Sequence, residues 1–78
     1  MSNNSVDERV PAVGMLVIAI DGYVGTVVSA QLNSLNIFTI FIESSKNFVD
    51  LNLYFVDRIT QDHILLNVNK QSLNHLKI

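Results

Sequence analysis

The stretch Val13-Gly14-Met15-Leu16-Val17-Ile18-Ala19-Ile20-Asp21-Gly22-Tyr23-Val24-Gly25-Thr26-Val27 decides the fold of this chain, because it joins two apolar, β-rich runs at an Asp-Gly turn. Every residue from Met15 to Ile20 is apolar. Six such residues suit a short strand covered on both sides, although alone they could equally form a buried helical turn. The turn that follows decides for the strand. Gly22 can adopt a positive φ and the Asp21 carboxylate can accept hydrogen bonds from nearby backbone amides, so Asp-Gly between apolar runs predicts a tight hairpin. The second strand is expected from Val24 to about Leu32. Gly25 falls inside it, where a missing side chain marks a bend, a bulge or a close backbone approach. Gly14, Asp21, Gly22 and Gly25 are therefore read as turn and corner residues of a small barrel.

Further strands follow at spacings that turn residues punctuate. Asn33 to Asn36 supplies a turn, and Ile37-Phe38-Thr39-Ile40-Phe41-Ile42 is rich in β-branched and aromatic residues. Alternation sends Phe38, Ile40 and Ile42 to one face and Ile37, Thr39 and Phe41 to the other. Both faces are largely apolar, so one fills the barrel and the other needs a cover. After the break Glu43–Asn47, the run Phe48–Leu53 points Val49, Leu51 and Leu53 inward and Asp50 and Asn52 to water. Tyr54-Phe55-Val56 reads as a one-turn connection over one end of the barrel, Asp57–Thr60 as a short strand and Gln61-Asp62 as a turn. His63–Val68 is a last strand with Ile64, Leu66 and Val68 on one face and Leu65 on the other. Asn69 is placed to cap a short terminal helix carrying Leu73 and Leu76.

Composition narrows the functional classes. A chain of 78 residues holds one domain with one modest core. The expected division is an arm over 1–11, a barrel over 12–68 and a short helix or tail over 69–78. Only 15% of the residues are charged, against roughly 25% in ordinary soluble domains, so more of the surface than usual is uncharged. Contiguous exposed apolar surface marks interaction sites, which predicts self-association. A net charge of −2 without a basic stripe gives no attraction to nucleic acid or to anionic membranes. Absence of cysteine removes disulfides, thiolate metal sites and cysteine nucleophiles. No segment resembles a signal peptide or a membrane-spanning helix, so a cytoplasmic location is expected.

Gly14-Met15 ahead of a strand, Asp21-Gly22 at the hairpin, Val24-Gly25-Thr26-Val27 after it, then Leu51-Asn52-Leu53-Tyr54-Phe55-Val56 and His63-Ile64-Leu65-Leu66 resemble a PRC-barrel domain. Within that group the chain is most similar to the short, stand-alone bacterial members classed as DUF2171. The resemblance spans about residues 12 to 68. It departs in the Ile-Pro-Leu-Asp-Trp-Val stretch, where relatives commonly carry a proline and an acidic residue and this chain has Asn52, Tyr54 and Phe55. The resemblance implies an all-β, mostly antiparallel barrel of five to six strands, SH3-like in its dimensions. It also implies a role in docking and assembly without an active site.

The remaining chemistry-bearing residues read as structural. His63 and His75 stand in no metal-binding spacing. Asp50, Asp57 and Asp62 lack the dense acidic loop that calcium requires. Ser29, Ser44 and Ser45 have no adjacent base. Gly22 and Gly25 form Gly-x-x-Gly, but a strand follows instead of the helix a phosphate loop needs. No catalytic residue, cofactor or metal is therefore expected. Tyr23, Ile37, Phe41, Tyr54 and Leu65 are the candidate interaction surface for an unidentified protein partner or a second copy of the chain. The alternative is a nucleic-acid-binding barrel of SH3-like or Sm-like type. Such barrels stack bases on aromatics beside a basic groove; here the aromatics are present and the groove is missing.

Overall fold

The computed structural model describes residues 10–30 and 36–75. Residues 1–9 of the arm expected over 1–11, the turn residues 33–35, the end of the second strand at Leu32, and Leu76 lie outside the described residues. Among the described residues six strands form one sheet: β1 (Leu16–Ala19), β2 (Gly22–Ser29), β3 (Ile37–Ile42), β4 (Asn47–Asn52), β5 (Val56–Ile59) and β6 (His63–Leu66). A 3-10 turn, Leu53–Phe55, links β4 to β5, and a five-residue helix α1 (Lys70–Asn74) follows β6. The strand order is β4-β3-β2-β1-β6-β5, antiparallel throughout except for the parallel pair β1 and β6. The sheet curls into a half-barrel, with β4 and β5 as its two edges.

Alternation along the strands sorts side chains to two faces. Val17 and Ala19 of β1, Val27 of β2, Phe38, Ile40 and Ile42 of β3, Val49 and Leu51 of β4, and Ile64 and Leu66 of β6 are buried on the inner face. Leu73 of α1 completes this core at 1% exposure, with Leu53, Phe55 and Val56 packed against it. The split expected in β3 is the one observed. Val49 and Leu51 are buried, and Asp50 is exposed.

The decisive hairpin forms one residue earlier than the Asp-Gly reading places it. Ala19 pairs with Gly22, so Ile20 and Asp21 make the two-residue loop and Gly22 opens β2 with φ +132°. Asp21 turns away from its own hairpin. Its Oδ1 accepts from the backbone N–H of Lys70 at 3.0 Å, while the Ile20 amide donates to the Val68 carbonyl at 3.1 Å. The Asn69 side chain accepts from the Ser72 amide at 2.8 Å. Two side chains thus satisfy the first turn of a helix too short to persist alone. Gly14, with φ +96°, sits in the turn ahead of β1, where the Met15 amide reaches the Ala12 carbonyl.

Gly25 follows from a bulge. Val17 pairs with Gly25 and Ile18 with Tyr23, leaving Val24 as an extra residue in β2. The bulge turns two successive residues toward the core. Val24 supplies a buried side chain there, and no room remains for a second. A Cβ on Gly25 would lie 1.7 Å from the Phe41 carbonyl oxygen. Further bulges interrupt β2 against β3, at Val28, and β5 against β6, at Asp57. Together they curl the sheet.

Candidate interaction surface

The outer face is built from the alternate positions of the same strands. The registers place Phe48 of β4 beside Phe41 of β3, Phe41 beside Thr26 of β2, Thr26 beside Leu16 of β1, and Leu16 beside His63 of β6. One step along, Tyr23, Ile18, Leu65 and Arg58 form a parallel row. Apart from Thr26, His63 and Arg58, these two rows are apolar or aromatic. Phe48 is 54% exposed and Tyr23 47%, with Leu16 and Val28 also exposed on this face.

Of the residues singled out from sequence, Tyr23, Phe41 and Leu65 join this surface. Ile37 is half-buried on the same face at the start of β3, opposite Asn52. Tyr54 stands apart in the 3-10 turn, 83% exposed. Its backbone is held at both ends: the amide donates to the Asn52 side chain and the carbonyl accepts from the Asn67 side chain, each at 2.9 Å. Sequence reasoning did not select Phe48, Leu16, Ile18 or Val28. Phe48 had a usable signal, since it shares its parity with Asp50 and Asn52, the residues expected to face water.

The backbone pattern of β4 follows from one bond. The Leu53 amide donates to the Asn36 carbonyl at 3.1 Å, and hydrogen-bonded and non-hydrogen-bonded pairs alternate along an antiparallel ladder. Thr39 with Asp50 and Phe41 with Phe48 are therefore non-hydrogen-bonded pairs, whose side chains approach most closely. Both pairs use that closeness. Thr39 Oγ1 donates to Asp50 Oδ1 at 2.6 Å, and the Phe41 and Phe48 rings lie 5.2 Å apart at 53°. The same alternation directs the backbone N–H and C=O groups of Phe48 and Asp50 away from β3, out of the sheet edge.

The two edges differ. β5 is four residues long, interrupted by the bulge at Asp57, and carries Asp57 and Arg58. β4 has six residues in unbroken register with β3 and an exposed phenylalanine. Short, bulged and charged edges resist pairing with another strand, whereas long regular ones invite it.

A pocket of about 300 Å³ lies at one end of the half-barrel, between the β1–β2 hairpin, the β3–β4 turn and α1. Val24, Ile42 and Leu73 floor it, and Tyr23, Glu43, Ser44 and Lys70 are on its walls. Glu43 Oε1 is 3.9 Å from Lys46 Nζ across the turn, an exposed pair that contributes little to stability. Asp50 and Asp57 sit on opposite edges of the sheet and are not brought together. His63 Nδ1 meets Asp62 Oδ1 at 2.5 Å. Among the described residues no group of three or more histidines and carboxylates is arranged to hold a metal ion, and no helix is long and apolar enough to cross a membrane.

No family model, no curated protein and no solved structure matches this chain.

Proposed function

We propose that the chain is a PRC-barrel-like module that works by binding protein, a second copy of itself included, and performs no reaction of its own. The observation that carries this reading is the apolar outer surface, which runs across the sheet and ends in Phe48 on a regular edge that no other described strand pairs. Burying that surface is favourable by roughly 25 cal/mol per Å² of apolar area. The resemblance of the sequence to PRC-barrel domains supports the same reading, since members of that family serve in docking and assembly.

Size-exclusion chromatography with light scattering at micromolar concentration tests it. The wild-type chain of 8.7 kDa is expected to elute at twice its monomer mass. Phe48→Ser is expected to return it to monomer while leaving the far-UV circular dichroism unchanged, because this ring is largely outside the core. A wild-type protein that remains monomeric would remove the self-association claim.

A further inference from the structure

The geometry points to the β4 edge as the place where two copies of this chain join, antiparallel, with Phe48 facing Phe48 and Lys46 alongside Asp50 of the second copy. The inference rests on the self-association reading above and adds to it a site, a register and a partner residue for each charge.

Three observations select the edge and one selects the register. First, β4 is the edge without a bulge, and its pairing with β3 is continuous over all six residues. Second, the backbone groups of Phe48 and Asp50 point outward, as the ladder phase set by the Leu53 amide requires. An added strand can therefore bond to the edge without disturbing the existing sheet, as in strand addition generally. Third, β5 at the far edge is bulged and charged, which favours β4 with β4 over a head-to-tail chain of copies.

Charge then chooses among the antiparallel registers that bring outward-pointing residues together. Centring the two-fold axis on Asp50 sets two carboxylates directly opposite, an unfavourable arrangement, and centring it on Val49 sets each Asp50 against Phe48 with no opposite charge. Centring it on Phe48 sets the two phenylalanines opposite. It also brings Lys46, one residue before β4, beside Asp50 of the second copy, and does so twice by symmetry. The Phe41–Phe48 contact at 5.2 Å would then continue into the second copy as an unbroken aromatic row. Lys46 lies in the β3–β4 turn with φ +58° and its amide donates to the Ile42 carbonyl, so it adds no backbone bond to the pairing; its side chain, 73% exposed and in only a long contact with Glu43, is free to reach Asp50 of the second copy.

Charge exchange tests the register. Lys46→Asp and Asp50→Lys, each alone, place like charges together across the axis and are expected to raise the dimer dissociation constant at least about tenfold. An equimolar mixture of the two variants restores opposite charges at both positions and is expected to dimerise like wild type, as is the double variant. Asp50→Asn keeps an acceptor for Thr39 and provides a milder variant should Asp50→Lys lose its fold by circular dichroism; it is expected to weaken association and flatten its salt dependence. Wild-type dimers with unchanged association in all single variants would overturn the β4 register while leaving the self-association reading intact. A wild-type monomer at every concentration would overturn both.

Discussion

Replacing Gly25 with alanine adds one methyl group where β2 passes against the backbone of β3 with no room for a Cβ. That carbon would stand 1.7 Å from the Phe41 oxygen and 2.9 Å from its carbonyl carbon, and both atoms are backbone, so no side-chain rotation relieves the contact. The substitution must instead push β2 and β3 apart around the pairs Gly25 with Ile42 and Thr26 with Phe41. Overpacking of this kind costs about 1–3 kcal/mol. Distorting one or two ladder hydrogen bonds adds about 0.5–1.5 kcal/mol each. The expected total is about 3 kcal/mol, a large share of the roughly 0.05–0.15 kcal/mol per residue that stabilises a domain. At about 4–8 °C per kcal/mol for a domain of this size, the melting temperature should fall by more than about 12 °C. Urea unfolding followed by far-UV circular dichroism measures the loss, with Thr26→Ala on the outer face as a nearby control expected to cost under about 1 kcal/mol. A Gly25→Ala variant within about 0.5 kcal/mol of wild type would refute the reasoning, because it would mean the two strands are not in this close approach.

Other predictions follow from individual contacts. Leu73→Ala empties the one fully buried position of α1 and should cost about 2–4 kcal/mol in urea unfolding. A cost under about 1 kcal/mol would indicate that the helix does not anchor the core. Asp21→Ala removes the acceptor for the Lys70 amide; about 1 kcal/mol should be lost, with faster amide exchange confined to Lys70 and its neighbours. Unchanged exchange at Lys70 would contradict the cap. Thr39→Val removes the hydroxyl bonded to Asp50 on an exposed strand pair and should change stability by less than about 1 kcal/mol, since the carboxylate returns to water.

Much of this fold was legible because alternation is a strong signal wherever one face of a strand is polar or both phases can be checked. β3 was assigned to the correct faces residue by residue, and β4 at Val49, Asp50 and Leu51, for that reason; Phe48 was given no face, and Leu53, expected inward on β4, lies in the 3-10 turn. The Asn69 cap was legible from local chemistry, as was a one-turn connection after β4, although the turn spans Leu53–Phe55 and Val56, expected within it, opens β5. The hairpin loop was displaced by one residue because Gly22, with its positive φ, serves as the first paired residue of β2 and leaves the loop to Ile20 and Asp21. The partner of the Asp21 carboxylate could not be read at all, since Lys70 is 49 positions away. The run Met15–Ile20 offered no phase, so Leu16 and Ile18 were indistinguishable from the core residues Val17 and Ala19. Bulges were equally hidden. Gly25 signalled that something unusual happens in β2, but the extra residue is Val24, whose side chain looks ordinary in sequence. The open β4 edge is a property of strand order, which no local pattern encodes.

Amide hydrogen exchange at Phe48 and Asp50, followed as the protein is diluted from the micromolar range, where it is expected to be dimeric, to concentrations below the dimer dissociation constant, tests the account most directly. Both amides point out of the β4 edge and should exchange rapidly in dilute solution. With increasing concentration they should become protected together, while the amides of β5 outside its pairing with β6 remain unprotected. Fast exchange at Phe48 and Asp50 at every concentration would contradict self-association through this edge.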